Sequence, residues 1–120
     1  PTSTVSYAGA YTNELVNYYF HSVDGYSKIG SYVGTGTAGN FIYTGFQPRF
    51  LLTKRSSAAG GGWNIFDSTR GTDKRLYPNL SNAEGTDSPE IVTFNSNGFT
   101  FNTADSWNNG SYTYIYLAIA

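Results

Sequence analysis

The chain has 120 residues, a formal net charge of −1, 18% aromatic against 12% charged side chains, 14 glycines, and no cysteine or methionine. Its length fits one domain, which buries roughly two-thirds of its unfolded surface. Near-neutral charge excludes the long-range field that draws a protein to nucleic acid or an anionic membrane. Missing cysteine excludes disulfides, thiolate metal ligands and a Cys nucleophile.

In chain order, Thr4 to Tyr7 alternates as a short strand, Gly9 and Asn13 mark a turn, and Leu15 to Val23 reads as a second strand. Asp24-Gly25 is a turn dipeptide. Tyr26 to Val33 alternates again, Gly34 to Asn40 is loop, and Phe41 to Thr44 leads into the stretch that organises the chain. That stretch, Gly45 to Arg70, reads as strand, glycine-rich loop, strand. Pro48 fits only a strand start or a sheet edge, because it has no N–H for the ladder. Phe50, Leu51 and Leu52 form an apolar run ended by Lys54 and Arg55. Ser56 to Gly62 is loop, and Trp63, Ile65 and Phe66 restart the pattern until Asp67 and Ser68 stop it.

Residues 70–88 are polar and aperiodic, and are expected to form a long surface connection with Leu76, Tyr77 and Leu80 pinned onto the core. Pro89 starts a further strand over Glu90 to Phe94, and Asn97-Gly98 suits the positive φ angles of a tight hairpin turn into Phe99 to Phe101. Thr103 to Gly110 is a polar loop. Ser111 to Ala120 closes the chain as a strand that is apolar on both faces towards its end, which places it in the middle of a sheet or under a neighbour. No stretch holds an apolar stripe at helical spacing. The fold expected is all-β: an antiparallel, jelly-roll-like β-sandwich, a single domain over 1–120.

One internal similarity bears on organisation. Thr4 to His21 resembles Gly98 to Ala120, each a short strand, an Asn-bearing loop and a final apolar strand. Residues 1–23 are therefore expected to be a terminal hairpin like the end of a preceding repeat, with 24–120 as the repeat body; periods this long fit tandem domains and not a solenoid. A chain that begins at Pro1 without methionine is expected to be either a product that has lost its initiator or a piece of something longer.

The segments VDGYSKIGSYVGTGTAGNFIYTGFQPRFLLTKR (23–55), W-x-I-F-D-S-x-R-G (63–71), LYPNLSNAEGT (76–86), SNGFTFNTADSWNNGSYTYIYLAIA (96–120) and the leading PTSTV (1–5) carry a resemblance. Together they resemble an uncharacterised repeat domain of virion structural proteins of tailed phages, often large tail-fibre-like or appendage proteins. The resemblance implies a structural module of the exterior virion surface, assembled in the host cytoplasm. Its partners would be copies of itself and other virion proteins, with no nucleic acid, no membrane insertion and no cofactor. It brings no catalytic signature.

The residues themselves point the same way. His21 is the only histidine, and nothing like G-x-S-x-G accompanies it. Asp67, Asp73, Glu84, Asp87 and Glu90 contain the makings of a glycosidase pair, but they sit in or beside turns, where carboxylates usually cap backbone groups. Calcium is the one ion left open: Asn82, Glu84, Asp87 and backbone carbonyls of that loop offer hard oxygen ligands, without the spacing of an EF-hand. Arg70, Lys74 and Arg75 lie among acidic residues, so local ion pairing is expected before phosphate binding. The chain is expected not to be an enzyme, and no metal site is assigned.

The residues singled out for binding are aromatics beside amides: Trp63, Tyr77 with Asn79, and Trp107 with Asn108. An aromatic face next to an amide is one way to hold a sugar ring, so a receptor- or glycan-binding module at a fibre tip is the alternative function. The other reading is that these rings plug the open ends of the sandwich or meet a subunit.

Overall fold

The computed structural model describes residues 18–87 and 90–120. The Thr4–Tyr7 strand, the turn at Gly9 and Asn13, Leu15 to Asn17, the strand start at Pro89 and all but the end of the 1–23 hairpin lie outside those residues. The described end of that hairpin is no strand: Tyr18 to Phe20 join no sheet, and Val23 makes one isolated bridge to Ser27.

Nine strands follow: β1 (Ser27–Val33), β2 (Asn40–Tyr43), β3 (Phe50–Arg55), β4 (Asn64–Asp67), β5 (Lys74–Arg75), β6 (Gly85–Thr86), β7 (Val92–Asn95), β8 (Gly98–Phe101) and β9 (Thr113–Ile119). One sheet runs β1-β9-β3-β4 and a second runs β2-β8-β7, with β5 and β6 as a small outlying ladder. Every pairing is antiparallel. The chain steps between layers at β1 to β2, β2 to β3 and β8 to β9, the alternation of a jelly-roll-like sandwich. There is no helix among the described residues.

Strand β9 sits between β1 and β3 because its residues are apolar on both sides. Tyr114, Tyr116 and Ala118 point into the sandwich and Ile115, Leu117 and Ile119 point out, the period of two of a pleated strand. On the inner face of the four-stranded sheet, Tyr32 stacks on its cross-strand neighbour Tyr114 with ring centres 4.9 Å apart. Phe99 meets Tyr116 edge-on at 5.4 Å, and Phe66 meets Phe101 at 5.8 Å and Trp107 at 5.7 Å. Such pairs add about 0.5–1.5 kcal/mol each beyond the area they bury. In a chain without disulfides, they are a main source of specific packing.

Three details depart from the sequence reading. The hairpin turn lies one residue earlier than Asn97-Gly98: Asn95 pairs with Gly98, leaving Ser96 and Asn97 as the loop, and Gly98 has no positive φ. Glycine is needed there for space, because a Cβ would strike the Ile42 carbonyl oxygen of the adjacent β2. The 70–88 connection carries β5 and β6 and a bridge from Leu76 to Ile65, so backbone pairing organises a stretch that shows no hydrophobic period. Leu80 is not pinned to the core; it is 52% exposed.

Candidate functional site

The residues proposed for binding separate into three places. Trp107 is 1% exposed and Asn108 is fully buried. The indole N–H donates to Thr103 Oγ1 (3.0 Å), Tyr32 Oη donates to the Trp107 carbonyl (2.6 Å), and the Arg75 guanidinium lies 4.6 Å from the ring centre. Asn108 accepts through Oδ1 from Asn40 Nδ2 (2.7 Å) and the Thr35 N–H (3.1 Å). Through Nδ2 it donates to the Thr37 (2.8 Å) and Thr103 (2.9 Å) carbonyls. This pair plugs and pins one end of the sandwich, so neither ring face nor amide is open to a sugar.

Tyr77 also meets Arg75, its ring centre 5.0 Å from the guanidinium. Arg75 thus lies over the rings of both Trp107 and Tyr77, with Asp87 Oδ2 3.0 Å from its Nε. That contact is an ion pair without hydrogen-bond alignment. The other carboxylates in and beside the connection are also matched to cations: Asp67 and Glu84 to Arg70 at 2.8 and 3.2 Å, and Asp73 to Lys74 at 3.4 Å. Partly exposed pairs of this kind are worth about 0–1 kcal/mol each. Among the described residues no three His, Cys, Asp or Glu side chains gather closely enough to hold a metal ion.

Burial raises the phenol pKa of Tyr32, with the adjoining Tyr114 adding to it. Burial also raises Tyr114, against the Asn109 N–H donated to its oxygen, and raises Tyr116. The largest cause in all three is loss of solvent around the phenol.

Trp63 and Asn79 do come together. The Trp63 N–H donates to Asn79 Oδ1 at 3.2 Å, and both line one recess with Pro78, Ile65, Tyr18 and Phe20. That recess belongs to a larger feature, the outer face of the four-stranded sheet. Cross-strand register places Ile29 beside Leu117, Leu117 beside Leu52, and Leu52 beside Ile65. This makes an apolar row across all four strands. Ile119 beside Phe50 forms the next row, and Ile115 beside Lys54 begins the polar rim. A sheet that packs a core on one side ordinarily presents polar residues on the other. This one is apolar on both.

Residues 18–20 lie against the face as a strap. Phe20 lines one recess with Ile29, Leu117, Leu52 and Trp63, and Tyr18 and Phe20 together line the adjoining one with Ile65 and Pro78. The strap covers little: Tyr18, Tyr19 and Phe20 are 80%, 91% and 60% exposed. Sequence reasoning singled out Trp63 and Asn79 but missed Phe20, Leu52, Ile65 and Ile115. Its one signal for the face was the double-sided apolarity of the closing strand; the row exists only once the register of four strands is known.

No curated protein and no solved structure matches the chain. A family model does, over residues 1–120, and the chain belongs to the family described as a Domain of unknown function (DUF7483).

Proposed function

We propose that the chain is a non-enzymatic structural module of a tailed-phage particle, in a tail fibre, appendage or capsid decoration. It works by contact with copies of itself and with other virion proteins. The observation that carries this reading is the apolar outer face of the β1-β9-β3-β4 sheet, with Ile29, Ile115 and the strap aromatics exposed on it. Contiguous exposed apolar surface on a small domain marks an interaction site. The occupant is a second copy: a net charge of −1 leaves little repulsion between like chains, and the resemblance is to modules of multi-copy assemblies. The matched carboxylates of the 70–87 connection support a non-catalytic role.

Sedimentation with light scattering tests this reading on the wild type and Ile115→Asp. The wild type is expected to form a defined oligomer. Burying an unpaired aspartate at the contact costs about 3 kcal/mol, on the order of a hundredfold in dissociation constant, while the fold is retained. A wild-type chain that stays monomeric at every concentration sinks the proposal.

The recess shared by Trp63 and Asn79 favours a second reading, glycan or receptor binding at a fibre tip. In that case Trp63→Ala leaves the oligomer intact and removes binding on a glycan array. A wild type that binds nothing on the array removes this reading.

A further inference from the structure

We propose that strand β1 is an interaction edge for a second copy of this chain, the two β1 strands pairing antiparallel across a two-fold axis at Ser31. The inference rests on the assembly reading for its partner, and adds a contact other than the outer face.

The ladder between β1 and β9 fixes which backbone groups of β1 are turned away from the sheet. The Ala120 N–H donates to the Tyr26 carbonyl at 2.9 Å, and the Gly34 N–H donates to the Tyr112 carbonyl at 2.8 Å. Both bonds continue the β1–β9 register at its two ends, so the even-numbered residues of β1 bond to β9. In an antiparallel ladder the alternate residues aim their N–H and carbonyl the other way. Ser27, Ile29, Ser31 and Val33 therefore point theirs out from the sheet edge.

That edge is closed at its ends and open in its middle. Ser27 exchanges bonds with Val23 at 3.0 and 2.9 Å. The Ile29 N–H donates to Ser22 Oγ at 3.1 Å, and Asn40 Nδ2 donates to the Val33 carbonyl at 3.0 Å. The groups between, which are the Ile29 carbonyl, the Ser31 N–H and carbonyl, and the Val33 N–H, take no partner among the described residues. Ser31 is exposed, and Val33 is 59% exposed.

This set is self-complementary. A two-fold axis at Ser31 sets that residue opposite itself, so each Ser31 N–H donates to the other Ser31 carbonyl. Each Val33 N–H then meets the Ile29 carbonyl of the second copy. The Ile29 N–H and the Val33 carbonyl are partners across the same axis; in the single chain Ser22 and Asn40 fill those places with side chains. On the outer face Ile29 comes beside Val33 of the second copy, an apolar cross-strand pair. Lys28 falls opposite Gly34, so no like charges meet.

The other sheet edges are shorter or already bonded. Strand β2 has four residues. Strand β4 is bonded to Leu76 at Ile65, and β7 to Thr72 at Val92 and to Gln47 at Phe94. Edges are usually guarded by shortness, proline, bulges or charge. Strand β1 has seven residues in unbroken register, no proline and one charge. A row of open backbone groups calls for an extended strand, and an isologous two-fold pair is the commonest way a chain supplies one to itself.

Ser31→Pro removes the outward N–H and leaves the bonds to β9, a place where an edge strand accepts proline. In the full-length chain it is expected to raise the dissociation constant of the pair about tenfold or more in sedimentation. A second test does not depend on proline being accommodated. Ser31→Lys and Ser31→Asp chains each set like charges opposite one another, and each is expected to associate less than the wild type. Their equimolar mixture is expected to recover association as a mixed pair, identified by native mass spectrometry. Wild-type association that none of these substitutions weakens, in chains with wild-type circular dichroism, overturns the proposal and leaves assembly to the outer face. Charge variants that mixing does not restore overturn it too, because Ser31 then does not face itself. Ile115→Asp separates the two contacts and is expected to leave the edge pair; if it leaves only monomer, the edge proposal falls and the outer-face reading stands. A wild type that is monomeric at every concentration overturns both.

Discussion

Asn108→Asp exchanges one NH2 for an oxygen at constant shape, in a site with no solvent access. The acceptor side of the amide survives, since Asn40 Nδ2 and the Thr35 N–H still find an oxygen. The donor side does not: the carbonyls of Thr37 and Thr103, held at 2.8 and 2.9 Å, lose their partner and face a carboxylate. Each buried acceptor left unsatisfied costs about 1–3 kcal/mol, so the pair costs roughly 2–6 kcal/mol. With a urea slope of about 2 kcal/mol per M, a loss of about 4 kcal/mol moves the unfolding midpoint down by about 2 M. Much of a small domain's stability of about 5–15 kcal/mol is at stake.

The same substitution makes stability depend on pH with a definite sign. Two carbonyls and burial disfavour the carboxylate, so the folded pKa of the introduced carboxyl lies above its unfolded value of about 3.9. The folded state then binds more protons than the unfolded one between those values. The protonated carboxyl, which returns one O–H donor to a carbonyl, contributes stability that is fully present below the unfolded pKa. That contribution is lost as pH rises through the folded pKa, at up to about 1.4 kcal/mol per unit. Urea unfolding of variant and wild type, followed by tryptophan fluorescence at pH 7 and pH 5, measures it. The difference between them is expected to narrow at the lower pH. A variant with the wild-type midpoint, or a gap that widens on acidification, refutes the hydrogen-bond assignment.

Gly34→Ala is expected to destabilise by more than the usual cost of a lost loop contact, because the new Cβ falls on the backbone carbonyl oxygen of Asn109; an unchanged thermal midpoint contradicts that close approach. Tyr32, Tyr114 and Tyr116 have phenol pKa values raised by burial, so alkaline titration at 295 nm is expected to show tyrosines that ionise only as the fold opens. Their folded pKa exceeds the unfolded value of about 10, so this stability is present below that value and lost as pH rises. Reversible titration of all 11 tyrosines as one class near 10 counts against it. Arg75→Lys keeps the charge opposite Asp87 but loses the planar stack on Trp107 and Tyr77, a loss of about 1 kcal/mol. Calorimetry that finds no drop in melting temperature removes the stack from the account.

The residue pattern shows most of the sandwich because a strand's alternation is local. The β1, β3, β8 and β9 segments announce themselves by period or by apolar runs, and the double-sided β9 announces its central place. What is hidden depends on partners distant in sequence. Lys74 and Arg75 form a strand only because Gly85 and Thr86 lie opposite. The hairpin loop shifts to Ser96-Asn97 because β8 must approach β2 at Gly98. Trp107 and Asn108 look like an exposed aromatic–amide pair from their polar neighbours. Their burial follows from loop 34–40 and Arg75, neither adjacent in the chain, closing over them. For the candidate site, sequence yields Trp63 and Asn79, and register supplies the rest.

The two sheets show why the outer face calls for a partner or a cover. The β2-β8-β7 sheet buries Ile42, Val92, Phe99 and Phe101 inward and leaves Phe41 and Tyr43 exposed along a single edge strand, which scattered surface aromatics allow. The four-stranded sheet differs in kind: each of its strands contributes an outward aliphatic side chain to one continuous row. Its inward face already satisfies the core, so stability of the isolated sandwich does not require that row. A polar residue at Leu52 or Ile65 would leave Leu51 and Phe66 buried as they are. An apolar row that the core does not need, extending from the β1 edge to Leu76, is explained by something laid across it. Phe20 and Tyr18 already lie against part of it.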